Sequence, residues 1–179
     1  MKPNNTKKLV ISAMLLALGY ILPFLTGQIK EIGNMLLPMH IPVMLAGLLL
    51  GARYGAAIGF ILPITRSLIF TMPAMYPNAV AMAFELAAYG LVAGIMMSML
   101  RRFGGIVPIY VSLVTSMLAG RAVWGGAMTL LVRQTESAFT VSAFLAGAFV
   151  NAVPGIIIQL VIIPPIVYAC HKVFGKTIE

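Results

Sequence analysis

The stretch "NAVAMAFELAAYGLVAGIMMSML", residues 78–100, is long enough for a membrane crossing and carries a single charge, Glu85. A hydrocarbon core of ~30 Å takes about 20 helical residues, so length and content together make this segment a transmembrane helix. An ionisable group inside such a span costs at least ~2.5 kcal/mol unless it meets a partner or a polar cavity. Glu85 therefore calls for a counter-ion on a neighbouring helix.

The rest of the chain is built from the same material. Of its 179 residues 61% are hydrophobic and 9% charged, and the mean hydropathy is +1.03. Such values lie far outside soluble-domain usage. The expected architecture is all-α: one polytopic membrane domain over residues 1–179 with six transmembrane helices. Apolar runs punctuated by glycine, proline and charge set these at approximately 8–26, 35–51, 54–70, 78–100, 106–132 and 141–171, the last with breaks expected at Pro154 and at Pro164-Pro165. Reading the first run as a cleaved signal peptide would leave five spans.

The formal charge of +8 is a topology signal and not a nucleic-acid footprint. Lys2, Lys7, Lys8, Arg101, Arg102, Lys172 and Lys176 cluster at the ends of apolar runs, and Arg53 lies between the second and third. The opposite loops hold Lys30 and Arg133, each accompanied by a glutamate, Glu31 and Glu136. The positive-inside rule then places both termini in the cytoplasm of a prokaryotic plasma membrane, in keeping with an even helix count.

Orientation turns sequence position into depth, at ~1.5 Å of rise per helical residue. Arg66 and Arg121 come to lie ~20 Å and ~22 Å above the cytoplasmic edge, Glu85 and Asn151 ~13 Å and His40 ~9 Å below the outer edge, with Asn78 at the rim. All fall in the outer half of the membrane. Asn78, Met82, Glu85 and Tyr89 share one stripe of their helix, and Met117, Arg121, Trp124 and Met128 share one of theirs. The combination predicts a pocket opening outward, with Arg121, Glu85, Arg66, Asn78, Asn151, His40 and Trp124 as candidate substrate-binding residues. Two arginines against one glutamate leave a positive charge over. Glu85 pairs with Arg121 or with Arg66, and the other guanidinium is available to an anion, for which its fork suits a carboxylate. Structural readings compete at three positions: Arg66 snorkelling to headgroups, Trp124 in an interfacial belt, and His40 hydrogen-bonded between Pro38 and Pro42.

Small residues four apart mark close helix contacts at Gly55 and Gly59, Gly90 and Gly94, and Ala143 and Gly147. Ala13 and Ala17 have the same spacing in the cytoplasmic half of the first helix, away from the polar slab, where they could dock a partner. Enzymatic chemistry lacks its parts. The chain has no aspartate, its two histidines His40 and His171 lie at opposite faces of the membrane, and no HExxH or phosphate loop is present. Cys170 has no second cysteine to pair with, so neither a metal site nor a cofactor is expected. A pocket without an engine binds passively, transports downhill, or borrows its energy.

The wording "LLPMHIPVMLAGLLLGARYGAAIGFILPITRSLIF", followed by "MPAMYPNAVAMAFELAAYG", resembles helices 2 to 4 of the substrate-binding S components of energy-coupling factor (ECF) vitamin transporters, most closely the pantothenate branch. The resemblance implies a six-helix protein that binds a vitamin, here an anionic one, from outside. A membrane T component and two cytoplasmic ATPases, which bind the ATP, complete the importer and supply the missing engine. It further implies that Ala13 and Ala17 dock the T component, that the loop "GQIKEIGNMLLP" closes over the ligand, and that the outer halves of helices 4 to 6 contact it. Related S components handle folate, riboflavin, thiamine or its hydroxymethylpyrimidine precursor, and pyridoxine. From other classes, a membrane scaffold protein and a small intramembrane lipid-processing enzyme stay open; the first predicts no ligand and the second predicts turnover dependent on Glu85.

Overall fold

A computed structural model describes residues 5–25, 35–132 and 152–174. Within them the chain is helical: α1 (Asn5–Leu25), α2 (His40–Leu50), α3 (Ala52–Phe70), α4 (Val80–Leu100), α5 (Val107–Val132) and α6 (Val153–Phe174). Short turns of tighter or wider helix, Arg101–Phe103 and Met75–Ala79, join α4 to its neighbours on either side. Among the described residues, four segments are long and apolar enough to cross a membrane: Asn5–Leu25, Met75–Phe103, Val107–Val132 and Val153–Lys172. The chain is thus a multi-pass membrane protein.

The other two helices differ from expectation for identifiable reasons. The second apolar run does not form one helix from residue 35; α2 begins at His40. Pro38 disfavours a helical conformation in the residue before it, and Leu37 takes φ 51, so the chain turns at Leu37–Met39 before the helix starts with His40 N–H on the Leu37 carbonyl at 3.1 Å. The resulting 11-residue helix is only ~16 Å long against a ~30 Å core. Irregular backbone at such depth survives only where protein covers it, and Leu37 and Met39 are 9% and 5% exposed. α3 has 19 residues, but Arg53, Arg66 and the polar Thr65 and Ser67 within it lower its hydropathy.

α2 sits at the centre. It packs against α1, α3, α4 and α6, and all of its residues except Ile41 and Leu49 are buried. A helix apolar on every side belongs in such a position. Glycines set the closest approaches around it. A β-carbon on Gly90 of α4 would overlap the Gly55 backbone of α3, one on Gly59 would overlap Leu86, and one on Gly94 would overlap Ala52. Gly47 of α2 meets the Gly90 carbonyl in the same way. Without lipid-excluding hydrophobic force between helices, this kind of backbone contact supplies the dispersion energy that holds a bundle together.

The helix ends also follow local chemistry. α3 stops at Thr71, which takes φ 58, and the prolines that follow cannot continue a helix. α6 starts at Val153 with Pro154 in its first turn, where a missing N–H costs nothing. The break expected at Pro164-Pro165 does not occur: α6 is continuous from Val153 to Phe174. Packing in a membrane bundle tolerates the two lost hydrogen bonds, and Ile163 and Val167 on either side of the prolines are fully buried in the core. Asn151, Ala143 and Gly147, together with residues 27–34 of the loop after the first helix, lie outside the described residues.

Candidate functional site

Glu85 finds its counter-ion on α5. Arg121 Nη1 donates to Glu85 Oε1 at 2.9 Å, with the two side chains 6% and 2% exposed. His40 Nε2 lies 3.5 Å from the same carboxylate oxygen, and its ring stands edge-on to Tyr89 at a centroid separation of 5.0 Å. Three helices thus deliver one acid, one guanidinium, one imidazole and one phenol to a single buried point. The local sequence explains each placement. His40 is there because the turn at Leu37–Met39 makes it the first residue of α2, facing the middle of α4. Glu85 and Tyr89 are one turn apart on the inward stripe of α4, and Tyr89 packs so closely on α5 that a β-carbon at Gly120 would overlap its ring. Gly120 therefore lets Arg121, the next residue, come within reach of Glu85.

The cluster carries one negative and one positive charge. Its pairing is incomplete, however, because Arg121 has five N–H donors and its Nε and Nη2 have no hydrogen-bond partner among the described residues. These two atoms form the side-on fork of the guanidinium. Buried donors in that state cost about 1–3 kcal/mol each, and the fork matches a carboxylate with two parallel hydrogen bonds. The first turn of α2 adds the positive end of its helix dipole beside the same point.

Arg66, assigned to the same slab by depth, is not part of this group. Its Nη1 donates to the Tyr20 carbonyl of α1 at 2.9 Å, and its guanidinium lies over the rings of Phe24 and Phe70 at 5.3 and 5.1 Å. Tyr20 reaches back to Thr65 at 2.6 Å. These contacts fasten α1 to α3. Asn78 and Trp124 are half-buried, Asn78 in the turn before α4 and Trp124 about one turn beyond Arg121 on α5. Tyr76, just before Asn78, donates to the Leu131 carbonyl at 2.5 Å and so ties the turn before α4 to the far end of α5. Besides buried serines, the sequence reading missed the larger buried amide of Gln159 on α6, 1% exposed. The signal was available, since it interrupts the apolar run "GIIIQLVII" just as Glu85 interrupts its own.

A family model described as ECF transporter, substrate-specific component, matches residues 7–167. The chain belongs to that family. It is therefore the substrate-binding subunit of a transporter, in a family whose members work with T and ATPase partners and which is not an enzyme family. No curated protein and no solved structure matches the chain. Ala13 and Ala17 both lie on the exposed side of α1.

Proposed function

We propose that this S component captures pantothenate from outside the cell and passes it to a T component driven by two cytoplasmic ATPases. In this reading the chain is a single membrane domain in a prokaryotic plasma membrane, with both termini cytoplasmic and six crossings. The observation that carries the substrate class is the side-on edge of Arg121: a buried guanidinium with one hand on Glu85 and two donors left over. A singly charged carboxylate is its natural complement. The start of α2 inside the membrane supports the same sign, because half-helix N-termini in transporters favour anionic substrate groups. Asn78, Asn151, Trp124 and His40 then offer amide, stacking and imidazole contacts to the neutral remainder. Arg66 has the separate task of holding α1.

Isothermal titration of the ligand-stripped protein in detergent tests the substrate, with folate, pyridoxine, thiamine, hydroxymethylpyrimidine and riboflavin as comparators. One-to-one binding of pantothenate alone is the expected result. Binding of a different vitamin would keep the transporter reading and replace the substrate; no binding by any would discard the Arg121 site.

The partner surface is tested separately. Ala13 and Ala17 lie exposed on α1 beside Leu9, Val10 and Met14, and a small-residue track of this type lets another helix approach closely. Replacing both alanines with tryptophan should abolish co-purification with the T component while leaving vitamin affinity within about twofold, because that face is remote from the Glu85 cluster. Retained co-purification would move the docking surface elsewhere.

A further inference from the structure

Gln159 is buried to 1% exposure, and its Nε2 has no hydrogen-bond partner among the described residues. It lies on the inward stripe of α6 with Gly155 and Ile163, which pack against the rest of the bundle. A β-carbon on Gly155 would come within 2.6 Å of the Met35 carbonyl and 2.9 Å of Leu36, so this turn of α6 rests on the segment that leads into α2. Gln159 is one turn further along the same face, ~6 Å. α6 packs against both α2 and α5, the helices that carry His40 and Arg121.

We propose that Gln159 is a specificity-determining residue of the S component's ligand site, donating its amide N–H to an uncharged acceptor on the ligand, an amide carbonyl or a hydroxyl oxygen. The inference rests on the reading of Arg121 as the carboxylate site. It adds a second point of recognition, from α6, so the ligand class becomes a carboxylate joined to a polar, uncharged acceptor and not a simple fatty acid. A glutamine serving only to pack would be a poor occupant of an otherwise apolar stripe, since an unmatched buried amide destabilises the fold. Matched by ligand, it discriminates strongly, because an analogue lacking the acceptor leaves the amide unpaired.

Titration of pantothenate and of its neutral alcohol analogue pantothenol against wild type, Gln159→Leu, Gln159→Glu and Arg121→Lys separates the two points. Gln159→Leu should weaken both ligands by the same factor, roughly 10- to 50-fold, leaving their affinity ratio unchanged. Gln159→Glu, close in size, should weaken pantothenate more than pantothenol by adding a like charge. Arg121→Lys should instead narrow the ratio. Unchanged affinity in Gln159→Leu, with wild type binding, overturns the role of Gln159 alone. If Gln159→Leu fails to fold, the ratio in Gln159→Glu decides: an unaltered ratio overturns the proposal. If another vitamin binds wild type, Gln159→Leu is titrated with that vitamin and the same loss is required. Absence of binding by wild type overturns the ligand site and the inference with it.

Discussion

Arg121→Ala should lower vitamin affinity at least ~100-fold, equivalent to about 2.7 kcal/mol, whereas Glu85→Gln should cost roughly fivefold, about 1 kcal/mol. The asymmetry follows from charge. Wild type presents a neutral pair whose guanidinium keeps two donors, Nε and Nη2, for the ligand. Removing the arginine deletes both hydrogen bonds and leaves the Glu85 carboxylate, 2% exposed, alone beside an incoming carboxylate. Like charges in a medium of reduced dielectric repel strongly, so the loss exceeds that of the contacts. Removing the glutamate's charge has opposing effects. The arginine is held less firmly, but the pocket's net charge rises by one, which favours an anion. Arg121→Lys separates charge from geometry, since lysine keeps the charge and loses the planar fork; it should fall between the other two variants. Titration of the three proteins, each checked for a cooperative thermal transition, reads the order directly. Equal tolerance of Arg121→Ala and Glu85→Gln would show that the pair is structural, as the scaffold alternative requires.

How much of this was legible in the sequence depends on which physical quantity the residues encode. Burying a charge in a membrane is so costly that Glu85 and Arg121 announce themselves as lone charges in apolar runs, and the rise per residue places both at one depth. Depth alone does not give direction around a helix axis. Arg66 met the same criterion, yet its side chain faces α1, where the Tyr20 carbonyl and the Phe24 ring, together with Phe70 of its own helix, satisfy it. The turn at Leu37–Met39 was concealed because hydropathy sees an unbroken apolar run through Pro38, while the backbone responds to the proline and not to the hydropathy. The reverse held at Pro164-Pro165, where local chemistry predicts a break and packing of Ile163 and Val167 overrides it. Gln159 was readable by the rule that found Glu85, but an uncharged amide carries a smaller penalty and so a fainter signal.

Gly90→Ala should be strongly destabilising to the described bundle core, and Gly126→Ala its harmless counterpart. At Gly90 the added carbon would collide with the Gly55 backbone of α3, and backbone cannot rotate out of the way as a long side chain can. The neighbouring Gly47 contact uses the Gly90 carbonyl, so α2 and α3 are wedged away from α4 together. Overpacking of this type costs about 3 kcal/mol, which in a domain of this size lowers the melting temperature by roughly 6–12 °C. Gly126 is exposed on α5 with nothing within 4 Å of its added carbon. There the improved helix propensity of alanine contributes up to ~1 kcal/mol in the stabilising direction. Thermal unfolding of both variants in the same detergent supplies the comparison; equal melting temperatures would mean that α3 and α4 do not meet at Gly55 and Gly90. The effect should also reach the ligand. Glu85 lies little more than one turn above Gly90 on α4, and His40 is fixed to α2, so parting these helices opens the 3.5 Å approach of His40 to Glu85. Vitamin affinity should therefore fall in Gly90→Ala even at temperatures where the protein is fully folded, because the glycines that allow close packing also hold the acid and the imidazole in register with the guanidinium.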